Sequence, residues 1–282
     1  MSGTLFVVAT PIGNLDDITA RALRVLGQVA LVAAEDTRRT HHLLSRYAIT
    51  TPTTSLHEHN ETQKLPALID RLKRGESIAL VSDAGTPTIS DPGQRLVRAA
   101  IDAAIRVEPV PGPSALVAAL AASGFSGDSV SFLGFPPTRA KDRKAWLASL
   151  ASIRGLAVFF EAPHRIKATL DEILRSVGDC EVSVGRELTK IHEEFIRGPL
   201  SAVIPRLRSP RGEFTVVIDI GHNTKLNVPA PPTAEDLVVE FGRMTTSDGF
   251  SKRHAISRLA NQHGVSTNVV YAAIEQAKKL VE

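Results

Sequence analysis

A layered α/β fold is the class this 282-residue chain predicts, on three observations. Apolar runs of strand length alternate with helix-period segments almost from end to end. The segments after those runs carry more Gly, Pro and polar residues than the four-residue turn that would suffice to reverse direction. Beyond a proline-rich stretch at 223–233 the pattern becomes helical throughout.

Taken in order, residues 5–9 read as a strand and PIGN as a turn. Asp16 or Asp17 then reads as the N-cap of a helix whose apolar face is Ile18, Ala22, Val25, Leu26 and Val29. Strands follow at 30–34, 77–81 and 106–110, with the helix GQRLVRAAIDAA between the last two. The alternation continues with strand 130–133, helix 142–151, strand 156–160, helix 164–177, strands 181–184 and 194–197, helix 200–207 and strand 214–220. PVPGPSA at 109–115 and NVPAPPTAED interrupt the pattern, dividing it into an N-terminal α/β domain at 1–112, a second at 113–222, a linker at 223–233 and a helical domain at 234–282. Within that last part SKRHAISRLANQHGVSTNVVYAAIEQ outlines helix, turn and helix, with Ser266 capping the second helix and Val269, Val270, Ala273 and Ile274 facing the first.

Composition excludes some classes. Hydrophobic residues make up 43% and charged residues 22%, both ordinary for a folded globular chain. A single cysteine, Cys180, leaves no internal disulfide framework and no Cys-rich zinc site, and points to a reducing cytoplasm. The opening MSGTLFVVATPIG has no basic start and its apolar run stops at Thr10, so it reads as a strand rather than a leader or a membrane span. The net charge is only +3, but it is unevenly spread. Residues 136–167 hold seven Lys/Arg against two acids, 197–211 four arginines against none, and 251–282 five Lys/Arg against two. Such segments either face a polyanion or are solvated helix surfaces.

In open α/β sheets ligands bind beyond the carboxyl ends of the strands. The segments there are ATPIGN, AAEDTRRT, SDAGTPTISDPG, PVPGPSA, FEAPHR and GRELTKIHEE. None is a G-x-G-x-x-G dinucleotide fingerprint, a G-x-x-x-x-G-K-[ST] phosphate loop or a G-x-S-x-G elbow. HEH at 57–59, with His41 and His42, invites a metal reading, but nothing in the spacing supplies a third ligand.

Seven stretches in this order, ATPIGNLDDIT, AEDTRRT, SLHEHNE, SDAGTPTISDPG, PGPSA, FEAPHR and GRELTKIHEEFIRG, resemble the tetrapyrrole methylase-like methyltransferases, and within them the ribosomal RNA small subunit methyltransferase I branch. The resemblance covers residues 4 to about 222. It implies a two-domain fold with a donor cleft between the domains, S-adenosylmethionine as methyl donor, a cytoplasmic homodimer without membrane association, and 2′-O-methylation of a cytidine in 16S rRNA at the decoding centre.

Carried onto this chain, the resemblance implies donor contacts from Pro11 and from Asp83, Ala84, Gly85, Thr86, Pro87 and Ile89. Pro113, Ser114 and Ala115 form the next contact loop, and Phe160, Glu161, Ala162, Leu188, Glu213 and Phe214 close the site from the second domain. Each has a plainer alternative: Asp83 and Asp91 as turn and helix caps, Ser114 as the N-cap of the following helix, Glu161 and His164 as caps beside Pro163. On this reading SDAGTPTI forms the ligand wall and SDPG merely starts the next helix.

Methyl transfer to a ribose hydroxyl is a direct displacement, and alignment of oxygen, carbon and sulfur can supply roughly 7–11 kcal/mol of its barrier. A general base adds about 10² to 10⁴ in rate. Glu161, Glu187 and His164 are the catalytic candidates, with Asp36 and Lys190 behind them. RNA contacts are expected from Asp36, Arg38, Arg39, His57, His59, Arg165 and Lys190, and in the helical tail from Lys252, Arg253 and Arg258 with Lys278 and Lys279 adding charge. Two rivals stand beside this reading: a small-molecule methyltransferase of the same fold, and a non-enzymatic nucleic-acid-binding protein supported by the tail alone.

Overall fold

Strands buried on both faces of a parallel sheet read as unbroken apolar runs, and LVAA and IALV at the centre of the first sheet are buried at every position. The computed structural model describes residues 2–207, 211–220, 234–246, 250–263 and 266–279. The chain divides into two compact units, Met1–Asn223 and Thr224–Glu282.

The first sheet is built from β1 (Thr4–Val8), α1 (Ala20–Gln28), β2 (Leu31–Ala34), α2 (Thr37–Arg46), β3 (Thr53–Ser55), α3 (Glu61–Lys73), β4 (Ile78–Val81), α4 (Gln94–Asp102) and β5 (Arg106–Val110). Its order is β3-β2-β4-β1-β5, and every pairing is parallel. Alternate residues point to opposite faces. Val32, Ala34, Ala79 and Val81 therefore pack with Leu26 and Leu44 on one side, while Leu31, Ala33, Ile78 and Leu80 pack with Leu72 and Leu96 on the other.

The second sheet follows α5 (Ala115–Ser123) and comprises β6 (Val130–Phe132), α6 (Ala140–Ala151), β7 (Leu156–Glu161), α7 (Ile166–Ser176), β8 (Glu181–Arg186), β9 (Glu194–Pro199), α8 (Leu200–Val203) and β10 (Phe214–Asp219). In the order β6-β7-β10-β8-β9 only β6 and β7 are parallel. Because β10 runs against both neighbours, its first residue, Phe214, lies opposite Glu161 and Arg186, the last residues of β7 and β8. Three strand ends thus meet at one edge. Ala119 of α5 packs there against Val158 and Val217, while Trp146 of α6 meets Phe159 edge-on.

The second unit holds α9 (Ala234–Thr246), α10 (Lys252–His263) and α11 (Thr267–Lys279) around Leu237, Met244, Leu259, Val270 and Ile274. The Ser266 hydroxyl accepts from the Val269 N–H at the start of α11. Val270, Ala273 and Ile274 are buried as their spacing predicts, but Val269 is half exposed and turns outward. The linker at 223–233 and residues 264–265 of the expected turn lie outside the described residues. Among the described residues no helix is long and apolar enough to cross a membrane.

Some local expectations are corrected. Neither Asp16 nor Asp17 caps α1: Asn14 caps a single 3₁₀ turn at Leu15–Asp17, and Thr19 is the N-cap, its hydroxyl accepting from Ala22 N–H at 3.1 Å. The helix expected at 200–207 stops at Val203 and continues only as a 3₁₀ turn, because Pro205 has no N–H to give to the Ser201 carbonyl. No element bounds are expected between 41 and 76, where the structure has most of α2, β3 and α3. Pro66 sits inside α3 and breaks its helical signature.

α4 begins at Gly93 without a side-chain cap of its own. Its orphan donor is met from α3 instead, where the buried Glu61 carboxylate accepts from Leu96 N–H at 3.1 Å. Replacing Glu61 with Ala leaves that donor unpaired, and urea unfolding is expected to show a loss of roughly 2 kcal/mol.

Candidate active site

The loops after β1 and β4 are tied together by a pair of backbone bonds. Thr10 N–H donates to Gly85 O at 2.9 Å and Gly85 N–H to Thr10 O at 3.0 Å, while the Thr10 hydroxyl donates to Ser82 O at 3.1 Å. Gly85 takes φ +81°, and a Cβ there would sit 3.4 Å from Ile12. Next in the loop Thr88 and Ser90 are held at φ 71° and 66°, left-handed values that cost non-glycine residues about 1–3 kcal/mol each. Such strain is kept only where surrounding structure imposes it, and between these two residues the Ile89 side chain is left exposed.

Ile89 faces a cavity of about 380 Å³, within the range of small-molecule sites. Ala84, Gly85 and Thr86 form one wall, and Ser114 and Ala115 at the N-terminus of α5 form the next. From the second sheet come Phe160, Glu161 and Ala162 after β7, Leu188 after β8, and Glu213 and Phe214 at the start of β10. Ser114 has both roles open to it in the sequence, since its hydroxyl also caps α5 through Val117 N–H. A smaller cavity of about 220 Å³ lies beside Pro11, Leu15, Arg39, His42, Ser82 and Asp83.

A family profile described as Tetrapyrrole (Corrin/Porphyrin) Methylases matches residues 4–204. Ribosomal RNA small subunit methyltransferase I of Halalkalibacterium halodurans is 43% identical over 97% of this chain and 95% of its own length. The protein of the same name from Synechocystis sp. is 49% identical over 95% and 96%. The chain belongs to the tetrapyrrole methylases, in the ribosomal RNA small subunit methyltransferase I branch. In fold this methylase is similar to the uroporphyrin-III C-methyl transferase of Thermus thermophilus complexed with S-adenyl homocysteine, with TM-score 0.56 at 15% identity over 77% of this chain and 97% of that one.

Methyltransferases of this family use S-adenosylmethionine, and the larger cavity suits it. Ile12, Ile89, Leu188 and Phe214 offer apolar surface to a purine, Gly85 lets the backbone come close, and the start of α5 presents N–H groups. Of the donor residues expected from sequence, Pro11 and Asp83 line the smaller cavity instead, and Pro87 and Pro113 line neither. The Pro113 carbonyl accepts from the Thr86 hydroxyl at 3.5 Å, which ties the two loops together. Phe135 lines the larger cavity without having been expected there, and Asp91, open in the sequence to either a cap or a ligand contact, lines it too.

The three catalytic candidates fare differently. The buried Glu161 carboxylate accepts from Thr169 Oγ1 at 2.5 Å and Ala162 N–H at 2.8 Å, and Arg165 lies 3.3 Å away. With its oxygens so engaged it anchors the start of α7, the plainer of its two readings. Glu187 sits at φ 50° and accepts from Lys190 Nζ at 2.9 Å and from Glu213 N–H at 3.0 Å. The Lys190 hydrogen bond holds its pKa below the usual value against the opposing effect of burial, so it is a weak base. His164 is exposed and lines neither cavity.

The RNA candidates also separate. Arg165 is turned inward, donating to the Pro136 carbonyl at 2.5 Å, and offers no free fork for a phosphate. Lys190 is spanned by Glu187 and Glu213 at 2.9 Å each; burial works against its charge, but the two carboxylates outweigh it and raise its pKa. His57 folds back on Asn60, while His59 is exposed. Arg38 and Arg39 remain largely exposed at α2, Arg38 paired with Asp36, whose pKa its hydrogen bonds lower to about 2. Lys252, Arg253 and Arg258 are exposed on α10, with Arg258 over the Phe250 ring; the side chains of Lys278 and Lys279 are outside the described ones. Among the described residues no three His, Cys, Asp or Glu side chains gather to hold a metal, His57 and His59 included.

Of the two readings the sequence left to Asp91, the helix cap is the one that fails. The N-cap of α4 is Gly93 at φ 111°, where a Cβ would come within 2.6 Å of Leu80, so Asp91 does not start the helix. It borders the larger cavity. Burial, then the charges of Glu35 and Asp83, push its pKa up to about 6, against a hydrogen bond from Ser82.

Gly85→Ala is expected to lower stability by roughly 1–2 kcal/mol in urea unfolding, since a left-handed alanine is strained at a position the Thr10 bonds hold fixed. Lys190→Met leaves Glu187 and Glu213 facing each other without a cation. A lower melting temperature is expected, with the deficit shrinking as pH falls and the carboxylates protonate.

Proposed function

We propose that this chain transfers the methyl group of S-adenosylmethionine to the ribose 2′-oxygen of a cytidine in 16S rRNA of the small ribosomal subunit, as a cytoplasmic homodimer. What carries the reading is the pairing of a donor-sized cavity with a second, smaller one lined by Arg39 of α2, next to the exposed Arg38. The names of the relatives supply ribosomal RNA as the substrate class. A donor held among loops and a target presented beside basic side chains suits a nucleotide within a polyanion.

Residues 1–112 and 113–222 act as the two domains whose loops hold the donor, and 234–282 as an RNA-binding appendage carrying Lys252, Arg253 and Arg258. The dimer is supported by α5, apolar on every side, whose Val117 is 60% exposed, and by Ile191 at 94%. Surface of that kind usually marks an interface.

Bound donor supplies an electrophilic methyl carbon, and the reaction needs no covalent protein intermediate. The task of the chain's own residues is to align and to shield. Gly85, Ile89 and Leu188 fix and cover the donor side, while Arg38 and Arg39 hold phosphates beside the target.

Undermethylated small subunits incubated with labelled donor should yield one 2′-O-methylcytidine; a methylated base, or no label, overturns the reading. Arg38→Ala and Arg39→Ala should each flatten the salt dependence of RNA affinity by about one unit of slope while sparing donor affinity. Removing 230–282 should weaken RNA binding and leave donor binding intact.

A further inference from the structure

We propose that Asp91 is the catalytic base of this methylase, its carboxylate taking the proton from the target ribose hydroxyl as that oxygen attacks the methyl carbon. The inference rests on the ribose-methylation reading above. The O–H proton passes to the Asp91 carboxylate, a new O–CH₃ bond forms, and the S–CH₃ bond breaks with its electron pair staying on sulfur. The proton then leaves Asp91 to solvent.

Position is the first support. Asp91 borders the larger cavity, while Ser82 and Asp83, whose groups act on its carboxylate, border the smaller one. The two cavities are lined by consecutive residues of the same loops, Pro11, Ser82 and Asp83 on the smaller and Ile12, Ala84 and Gly85 on the larger. A hydroxyl held on one side can thus meet a methyl group held on the other, with Asp91 on the larger side. Its loop is fixed from both ends. Ser90 precedes it at φ 66° and Gly93 follows at φ 111°, and the Ser90 hydroxyl comes within 3.5 Å of where a Cβ on Gly134 would stand. No helix cap or ion pair consumes the group: the N-cap of α4 is Gly93, and none of the ion pairs among the described residues includes Asp91.

Chemistry is the second support. The other carboxylates near the donor are committed, Glu161 to Thr169 and Ala162 N–H, Glu187 to Lys190 and Glu213 N–H. The charged groups facing Asp91 are Glu35, at the end of β2, and Asp83, after β4; Asp83 is itself 3.5 Å from Arg39 and accepts from Asp36 N–H. Gly134 and Phe135, approaching from the second sheet, bring no charge. Burial and the two neighbouring acids raise the pKa to about 6, closer to working pH than an ordinary aspartate, which is where a proton acceptor is most effective. The group is protonated and inert below that value and competent above it. The profile of kcat/KM in free enzyme should therefore rise through about pH 6. Bound donor brings positive charge beside the carboxylate, so the limb in kcat should lie lower.

The test uses the full chain with small subunits as substrate and follows three quantities: donor affinity by calorimetry, single-turnover rate, and the pH profile. Asp91→Asn should bind S-adenosylmethionine within about threefold of the parent, lose about 10² to 10⁴ in rate, and show no limb near pH 6. Asp91→Glu should recover part of the rate. Parent enzyme that makes 2′-O-methylcytidine while Asp91→Asn keeps its rate overturns this proposal alone, as does a loss explained wholly by donor affinity. Parent enzyme that methylates a base overturns the ribose reading and this proposal with it.

Discussion

Two backbone hydrogen bonds between Thr10 and Gly85 set the geometry on which the larger cavity, the proposed donor site, depends. β1 and β4 are parallel neighbours, so their carboxyl ends lie side by side. The pair of bonds locks the loops that leave them into one surface. It also demands a left-handed residue at 85, which glycine supplies without cost. From that point the chain is committed: Thr86 is tied to the Pro113 carbonyl, and Ile89 is presented between two strained neighbours. Asp91 is carried to the edge of the cavity.

The second sheet answers with a different device. An antiparallel β10 between β7 and β8 brings a strand start and two strand ends to the same edge, so Glu161, Leu188 and Phe214 can share one cavity. The loop at 187–190 is then clasped to the first sheet. Asn14 N–H donates to the Thr189 hydroxyl at 3.0 Å, and Gly13 lies so close that a Cβ would meet Lys190 Cγ at 2.5 Å. Glu187 and Thr189 adopt left-handed φ values of 50° and 65° to make this contact, and the Glu187–Lys190–Glu213 bridge holds them there.

Much of this was legible in the sequence because buried parallel strands leave little freedom. LVAA and IALV could be assigned without a structure, and the turn-rich segments after them were the right places to look. The antiparallel insertion of β10 was not legible, since apolar periodicity carries no strand direction. α3 was hidden by Pro66, and the Thr19 cap by two aspartates that belong to a preceding 3₁₀ turn. At the site, most of the loops named from the resemblance line the larger cavity, whereas several single side chains named with them lie elsewhere or are paired. Glu161 and Arg165 look like catalytic and phosphate-binding groups in FEAPHR. Their carboxylate and guanidinium instead serve local backbone and hydroxyl partners, which only three-dimensional neighbours reveal. SDPG does start the helix, as its composition indicates, but through Gly93, close over Leu80; Asp91, which the sequence left open between cap and ligand contact, is thereby left at the cavity.

The account therefore places one methyl donor in one cavity, walled by the Thr10–Gly85 pair on one side and by the converging ends of the second sheet on the other. The most direct measurement is a crystal structure of the full chain with S-adenosyl homocysteine. It is expected to show the ligand between Gly85 and Ile89 on one side and Leu188 and Phe214 on the other, with the sulfur turned toward Asp91. Ligand bound in the smaller cavity beside Arg39, or anywhere away from the Gly85 loop, would contradict it.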